Sequence, residues 1–259
     1  MLVRLMSNIK ADVKILKDVD LVVFDKDGTL IDIHHYWCSM IRFRAEKICM
    51  YFEVHQPKES ELYVSLLDGM GIDVAESKMK SDGPVGIKPR AFIIKTALDI
   101  AQQYRSSISE KDVSDIFLEV DRFSLSNLKD IVVPLPGVIS LLNGLKQYGV
   151  DIAIATTDLT DRAQFSIDSL SWGGYFSCIA GGDSVSNPKP AGDLVNYIVK
   201  NVNVPVSNVV VIGDSIVDLE MAENAGCRFI GVQTGLYTPE FLTRTNYLVE
   251  NLMHVGVEA

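Results

Sequence analysis

Two acidic side chains stand at the end of the first strongly apolar segment of the chain. Asp25 and Asp27 follow the run 21–24, and Gly28 then lets the backbone turn. Residues two apart in an extended chain face the same way, so both carboxylates can converge on one point. Two close carboxylates repel each other unless a cation lies between them or one keeps a proton. Either arrangement suits phosphoryl transfer, in which one acid can attack phosphorus while the other carries a proton.

The apolar run itself indicates where these acids lie. Leu-Val-Val-Phe at 21–24 is typical of a strand buried on both faces of a parallel sheet. Ligands of open α/β sheets bind outside the carboxyl ends of the strands, which is where Asp25 and Asp27 fall. A simpler interpretation is a strand that ends in an Asp-Gly turn, with Thr29 capping the next element. This stretch alone leaves both interpretations open.

Polar side chains also follow three later apolar runs. They are Thr156 and Thr157 after 152–155, Lys189 in the loop after 178–180, and Asp214 and Asp218 after 209–212. A hydroxyl with exposed backbone amides can bind an anion, and a lysine between two prolines suits a fixed charge. Asp214 and Asp218 could complete a magnesium site with Asp25, because Mg²⁺ prefers oxygen ligands and keeps several waters.

Each of these residues also has a structural interpretation. Thr156 could cap a helix, Lys189 could be an ordinary loop lysine, and Asp214 or Asp218 could cap the helix after Gly213. Four polar sites at the carboxyl ends of strands, in this order, are hard to reach by accident. Together they indicate one catalytic site.

The rest of the pattern predicts two parts. After the Pro-rich stretch 134–137, strands alternate with helices, which indicates a parallel sheet with helices on both faces. A fifth strand is predicted at 229–232 and an edge strand at 247–249, whereas residues 1–18 receive no assignment.

Between the first strand and that stretch, apolar residues recur at helical spacing. Helices are expected from Trp37, over 61–67 and 91–104, and from Ser109, with Asp112 as an imperfect capping-box partner. No clear strand is visible, and the gap far exceeds the dozen or so residues that a crossover needs. We therefore expect an all-helical cap at 33–133, inserted into a core formed by 1–32 and 134–259.

Composition restricts the partners. The 24 Lys and Arg against 34 Asp and Glu give a formal charge of −10, which argues against general nucleic-acid binding. None of the four cysteines forms a CxxC pair, which argues against a zinc site or a disulfide framework. Neither a signal peptide nor an apolar run of membrane length is present, so we expect a soluble cytoplasmic protein that does not bind membranes.

The motifs resemble those of the haloacid dehalogenase superfamily, in particular its phosphoglycolate phosphatase-like branch with a helical cap. The resemblance extends from Asp20 to about Val249, and rests on Asp25-Lys26-Asp27-Gly28-Thr29, Thr156, Lys189 and Gly213-Asp214-Ser215-Ile216-Val217-Asp218. It implies a Rossmann-like parallel-sheet core and a magnesium-dependent phosphatase acting on small phosphorylated metabolites. The motifs are specific for the superfamily and only weakly specific for the substrate.

The resemblance also implies roles for individual residues. Asp25 would be the nucleophile that forms an aspartyl-phosphate, and Asp27 the general acid and then the base. Mg²⁺ would be held by the carboxylates of Asp25 and Asp214 and by the backbone carbonyl of Asp27, with Asp218 ligating or supporting. Thr156 and Lys189 would bind the phosphoryl oxygens.

Substrate selection is expected from the cap. The Gly/Pro-rich loop 83–90 carries Lys88 and Arg90, which could meet the leaving group, although a solvated loop fits equally well. The alternatives to a phosphatase are a phosphomutase resembling beta-phosphoglucomutase and a catalytically silent regulatory protein on the same fold. Lys26, between the two acids, is expected to point away from them as a supporting or exposed lysine.

Overall fold

The structure is a computed structural model that describes residues 7–11, 14–80, 82–84, 88, 90–126 and 128–258. The chain divides into two compact units. One, here called the helical unit, is Ile33–Ile131, and the described residues on either side of it form the sheet unit.

The strands and the α-helices of the described residues are each numbered in chain order. The strands are β1 (Ser7–Ala11), β2 (Lys14–Val19), β3 (Leu21–Phe24), β4 (Ile72–Asp73), β5 (Lys78–Met79), β6 (Asp151–Ala155), β7 (Cys178–Ala180), β8 (Val209–Gly213), β9 (Arg228–Val232), β10 (Leu248–Val249) and β11 (Val255–Glu258). The α-helices are α1 (Ile33–Tyr51), α2 (Glu61–Met70), α3 (Arg90–Tyr104), α4 (Glu110–Ser126), α5 (Leu128–Ile131), α6 (Val138–Gln147), α7 (Thr160–Ser169), α8 (Asp193–Val202), α9 (Ile216–Ala225) and α10 (Pro239–Arg244).

A six-stranded parallel sheet organises the sheet unit. Its strand order is β10-β9-β8-β3-β6-β7, so β3 lies inside the sheet with β6 and β8 as neighbours. Phe24 is in register with Ile154 on one side and Ile212 on the other. The carboxyl ends of β3, β6 and β8 therefore lie along one edge, and the polar loops after them emerge there. All four residues of β3 are fully buried, as the apolar run predicts.

Helices cover this sheet with apolar stripes. Leu194, Val195 and Ile198 of α8 are completely buried, and they share one core cluster with Leu219 of α9 and with the sheet. The spacing of the α8 residues places them on one helical face. The predicted parallel sheet flanked by helices is confirmed, including the edge strand β10, which pairs with β9.

The amino-terminal segment, which the sequence analysis left unassigned, forms a second sheet from residue 7 onward. Strands β11, β1 and β2 pair in that order as an antiparallel sheet, with Ile9 opposite Val257 and Ala11 opposite Val255. Ile9 and Ala11 are buried and alternate with polar residues. The partner β11 is far away in sequence, so local patterns do not reveal that pairing, whereas the other partner, β2, follows β1 directly. Residues 1–6 lie outside the described part of the chain.

The helical unit contains α1 to α5. Helix α4 begins after the predicted reciprocal cap, since Ser109 N donates to Asp112 Oδ2 at 2.9 Å and Asp112 N donates to Ser109 Oγ at 3.2 Å. The expectation of an all-helical unit misses one small feature. Strands β4 and β5 form a two-residue antiparallel ladder in which Ile72 pairs with Met79. A strand of two residues is too short to show a recognisable alternation of apolar and polar side chains.

No helix in the described part of the chain is long and apolar enough to span a membrane.

Candidate active site

Three carboxylates meet at the carboxyl edge of the parallel sheet. Asp25 follows β3, Asp214 follows β8, and Asp218 lies in the first turn of α9. Each offers an oxygen within 4.8 Å of the others, and all three residues are buried. We call them the acidic triad. The sequence predicted that these acids converge, and the parallel register of β3 with β8 is what brings them together.

Lys189 is the ammonium group that faces the acidic triad. Its Nζ lies 2.6 Å from Asp25 Oδ1 and 2.5 Å from Asp218 Oδ1, and its side chain is almost completely buried. Three carboxylates against one ammonium leave a formal charge of two negatives when all groups are ionised. A cluster of oxygen donors with this charge fits a divalent cation such as Mg²⁺.

Burial and mutual repulsion make the ionised triad costly without a cation. Burial raises the pKa of Asp25 to about 7, although Lys189 opposes the shift. Burial also raises the pKa of Asp214 well above its ordinary value, and Asp25 adds to that rise. Burial lowers the pKa of Lys189, but Asp218 and Asp25 outweigh it, so this pKa stands above its ordinary value. The lysine therefore stays charged while the acids compete for protons.

A loop that the sequence motifs do not predict holds Asp214. The backbone N–H of Leu236 donates to Asp214 Oδ2 at 3.1 Å, and Thr29 Oγ1 donates to Oδ1 at 3.2 Å. A Cβ at Gly235 would overlap Asp214 Oδ2, and a Cβ at Gly28, whose φ is +100°, would come within 2.5 Å of the same oxygen. A side chain at either position would have to displace the Asp214 carboxylate. The available signal was the pair Thr234-Gly235, which stands one residue after the predicted strand 229–232.

Asp218 and Thr156 serve the backbone as well as the site. Ser215 N donates to Asp218 Oδ2 at 3.2 Å, so Asp218 caps α9 while its other oxygen meets Lys189. Thr156 is buried after β6 and its Oγ1 accepts from Asp158 N at 3.1 Å, whereas Thr157 is exposed. Asp218 thus combines both roles, whereas Thr156 does not cap α7, whose N-cap residue is Leu159. The Thr156 hydroxyl instead accepts a hydrogen bond within the loop after β6.

Lys26 corrects one expectation. It does not point away from the acids: its Nζ lies 2.7 Å from both Asp27 Oδ1 and Asp27 Oδ2, and it is 1% exposed. An oxygen of a second carboxylate, Asp158 Oδ2, lies 3.5 Å from Lys26 Nζ. The alternation rule fails because β3 ends at Phe24, and a lysine side chain is long enough to turn back from there.

The two cap residues selected from the sequence lie in the helical unit. Lys88 is exposed, and Arg90 Nη1 pairs with Asp121 Oδ2 at 2.7 Å at the start of α3. The guanidinium of Arg90 also lies 5.6 Å from the centroid of the Phe117 ring. Arg90 thus has partners within its own unit, and a role in substrate recognition stays a prediction for both residues.

Comparison with known proteins decides the family. The family model of haloacid dehalogenase-like hydrolases matches residues 19–226. This chain belongs to that family. The match covers β3, β6 and β8 with the acids and threonine that follow them, and it also covers Lys189. The superfamily resemblance predicted from the motifs is therefore confirmed.

Curated relatives and solved structures agree with the family. The probable phosphatase IndB of Dickeya dadantii is 31% identical over 86% of this chain and 84% of its own length. A phosphoglycolate phosphatase of Neisseria meningitidis is 28% identical over 93% of both chains. A solved structure from Haemophilus somnus, described as a predicted phosphoglycolate phosphatase, superposes with a TM-score of 0.66 at 22% identity, covering 90% of this chain and 95% of that one. The family match and the phosphatase relatives confirm the prediction of a phosphoric monoester hydrolase, and the structural likeness shows the fold.

Proposed function

We propose that this hydrolase is a magnesium-dependent phosphatase that cleaves a small phosphomonoester, of the phosphoglycolate or sugar phosphate class, through an aspartyl-phosphate. One observation carries the proposal. The buried Asp25 carboxylate lies at the carboxyl edge of the central sheet, 2.6 Å from Lys189 Nζ and within 4.8 Å of two further carboxylates. A nucleophile for phosphorus needs this setting, in which cations offset the repulsion between a carboxylate and an anionic substrate.

Asp25 attacks phosphorus and the ester oxygen leaves, which produces the aspartyl-phosphate. The ester oxygen takes its proton from Asp27, and the same carboxylate then accepts a proton from the water that hydrolyses the intermediate. Asp27 is suited to this exchange because its side chain is 16% exposed, so water can reach it. Lys189 and the Thr156 hydroxyl bind phosphoryl oxygens, with the exposed Thr157 beside them.

The acidic triad fits Mg²⁺, with Asp25 and Asp214 as carboxylate ligands, the backbone carbonyl of Asp27 as a third, and Asp218 ligating or supporting. When bound, the cation supplies positive charge that the transferring phosphoryl group needs. Asp218 is already shared between Lys189 and the cap of α9.

The substrate class rests on the relatives, several of which are named phosphoglycolate phosphatases. A panel of phosphorylated metabolites with Mg²⁺, read as released inorganic phosphate, tests the proposal. We expect turnover of at least one small phosphomonoester and none after addition of a chelator. An isomerised sugar phosphate without phosphate release would instead identify a mutase. A chain that turns over no substrate would fit the regulatory alternative, although all the acids of the site are retained in this sequence.

A further inference from the structure

Beside the acidic triad lies a second cluster of charges, of which the proposed mechanism uses only Asp27. Lys26 Nζ lies 2.7 Å from both carboxylate oxygens of Asp27 and 3.5 Å from Asp158 Oδ2. Lys26 is 1% exposed and stands two residues after the fully buried strand β3. An ammonium group without a partner would be costly at such a position. The buried charge of Lys26 is therefore compensated by the carboxylates of Asp27 and Asp158.

Asp158 is held in place by hydrogen bonds of its backbone and of one carboxylate oxygen. Its backbone N–H donates to Thr156 Oγ1 at 3.1 Å, and its Oδ1 accepts from Leu159 N at 2.9 Å. The other oxygen, Oδ2, is buried and accepts no hydrogen bond. A buried polar atom in this condition requires an explanation. The facing Lys26 ammonium supplies one, because the attraction between the charges acts at 3.5 Å without hydrogen-bond geometry.

The two acids of the first motif thus lie in different electrostatic surroundings. Asp25 belongs to the acidic triad, which with Lys189 keeps a formal charge of two negatives. Asp27 and Asp158 are matched by Lys26 and by Arg162, whose Nε lies 3.6 Å from Asp158 Oδ1, so this second cluster is formally neutral. A divalent cation is attracted to the first group and gains little from the second.

We propose that Lys26, anchored by Asp158, is a positioning residue that orients the Asp27 carboxylate for proton transfer and keeps it separate from the acidic triad. Contact with both oxygens fixes the rotation of the carboxylate, which one hydrogen bond would leave free. Proton transfer depends on such placement, since a misplacement of about 1 Å can cost on the order of 10²-fold in rate. The inference rests on the proposed function, because it assigns Lys26 a task in that reaction.

The test compares Lys26→Met, Asp158→Asn and the double variant with wild type. Methionine fills the buried volume without the charge, and Lys200→Met is the matched control at an exposed position. Activity is measured on aryl phosphates with good and poor leaving groups, phosphoenzyme is trapped by rapid quenching, and Mg²⁺ binding is measured by calorimetry. For Lys26→Met we expect kcat to fall about 10- to 100-fold with little change in KM, as for a misplaced catalytic group. Phosphoenzyme should accumulate on the activated substrate, and Mg²⁺ should bind at least as tightly as to wild type.

Asp158→Asn should also lower kcat, but by less than Lys26→Met does. In the double variant, Asp158→Asn should add nothing to the loss from Lys26→Met, because Asp158 acts through Lys26. Additive losses would overturn the role of Asp158. Weakened Mg²⁺ binding by Lys26→Met, or turnover equal to that of wild type, would overturn the role of Lys26 while the proposed function stands. A wild-type protein that releases no phosphate would overturn both. If Lys26→Met does not fold, Asp158→Asn alone decides: wild-type kinetics would overturn the inference.

Discussion

Asp214→Asn should stabilise the metal-free protein while removing most of its response to Mg²⁺. The substitution keeps the shape of the side chain. An asparagine oxygen can still accept from Leu236 N, and its amide can donate to the Thr29 hydroxyl, so both present contacts have a replacement. What disappears is one negative charge in a buried cluster. The loss of a ligand lowers the stability gained from Mg²⁺, whereas the relief of repulsion raises the stability of the metal-free protein. Measurements with and without Mg²⁺ therefore separate the two effects.

The size of the effect follows from the geometry of the acidic triad. At an effective dielectric constant of about 20, two unit charges 4.8 Å apart repel by about 3.5 kcal/mol. Lost attraction to Lys189 and partial protonation offset much of this, so we expect a gain of about 1–3 kcal/mol at pH 8. For a chain of this size each kcal/mol raises Tm by about 2–4 °C.

The pH dependence has a definite sign. The pKa of Asp25 is about 7 in the folded protein against 3.8 ordinarily, and that of Asp214 is raised too. The folded state therefore binds more protons than the unfolded state between about pH 4 and 7, and metal-free wild type loses stability as the pH rises through this window. The advantage of the Asp214→Asn variant should be largest above pH 7 and shrink toward pH 5.

Thermal unfolding in chelator, at pH 5 and pH 8, and again with saturating Mg²⁺ measures all of this. Mg²⁺ should raise the Tm of wild type by mass action and that of Asp214→Asn much less. Asp99→Asn, at an exposed position in the helical unit, is the control and should behave as wild type. The reasoning is refuted if metal-free Asp214→Asn is less stable than wild type at pH 8, or if Mg²⁺ stabilises both proteins equally.

Three further predictions concern single positions. Asp25→Asn should form no phosphoenzyme that rapid quenching can trap. Asp27→Asn should be phosphorylated by an activated aryl phosphate and then hydrolyse the phosphoenzyme slowly, with a loss of about 10²–10⁴-fold in turnover. Fast turnover by Asp27→Asn would contradict the assignment. Gly235→Ala should displace the Asp214 carboxylate and weaken Mg²⁺ binding without unfolding the protein, which calorimetry and circular dichroism would show; unchanged binding would mean that the loop yields. If Arg90 binds the leaving group, Arg90→Ala should reduce kcat/KM more for the preferred metabolite than for a generic aryl phosphate. Equal losses would mean that Arg90 stabilises the fold through its ion pair with Asp121.

The sequence predicts those features whose determinants are local. The buried run 21–24 and the acids after it follow from polarity and alternation over a few residues, and the parallel topology then brings Asp214 to Asp25. The contribution of Leu236 N is different, because a backbone amide leaves no trace in residue type. Lys26 was misplaced because a flexible side chain does not obey the alternation of the backbone. The pairing of β1 with β11 depends on residues almost a whole chain apart, which no local pattern encodes.

The position of β3 inside the sheet has a consequence for protein synthesis. Both of its neighbours, β6 and β8, lie beyond the helical unit in sequence, so β3 leaves the ribosome long before either can pair with it. During that interval a fully apolar strand has two open edges, which is the condition that favours pairing with other chains. The helices of the inserted unit pack mostly against one another and can form as they emerge. The nascent chain therefore carries this apolar segment without a strand partner until β6 has been made, and during that stage chaperones would protect it.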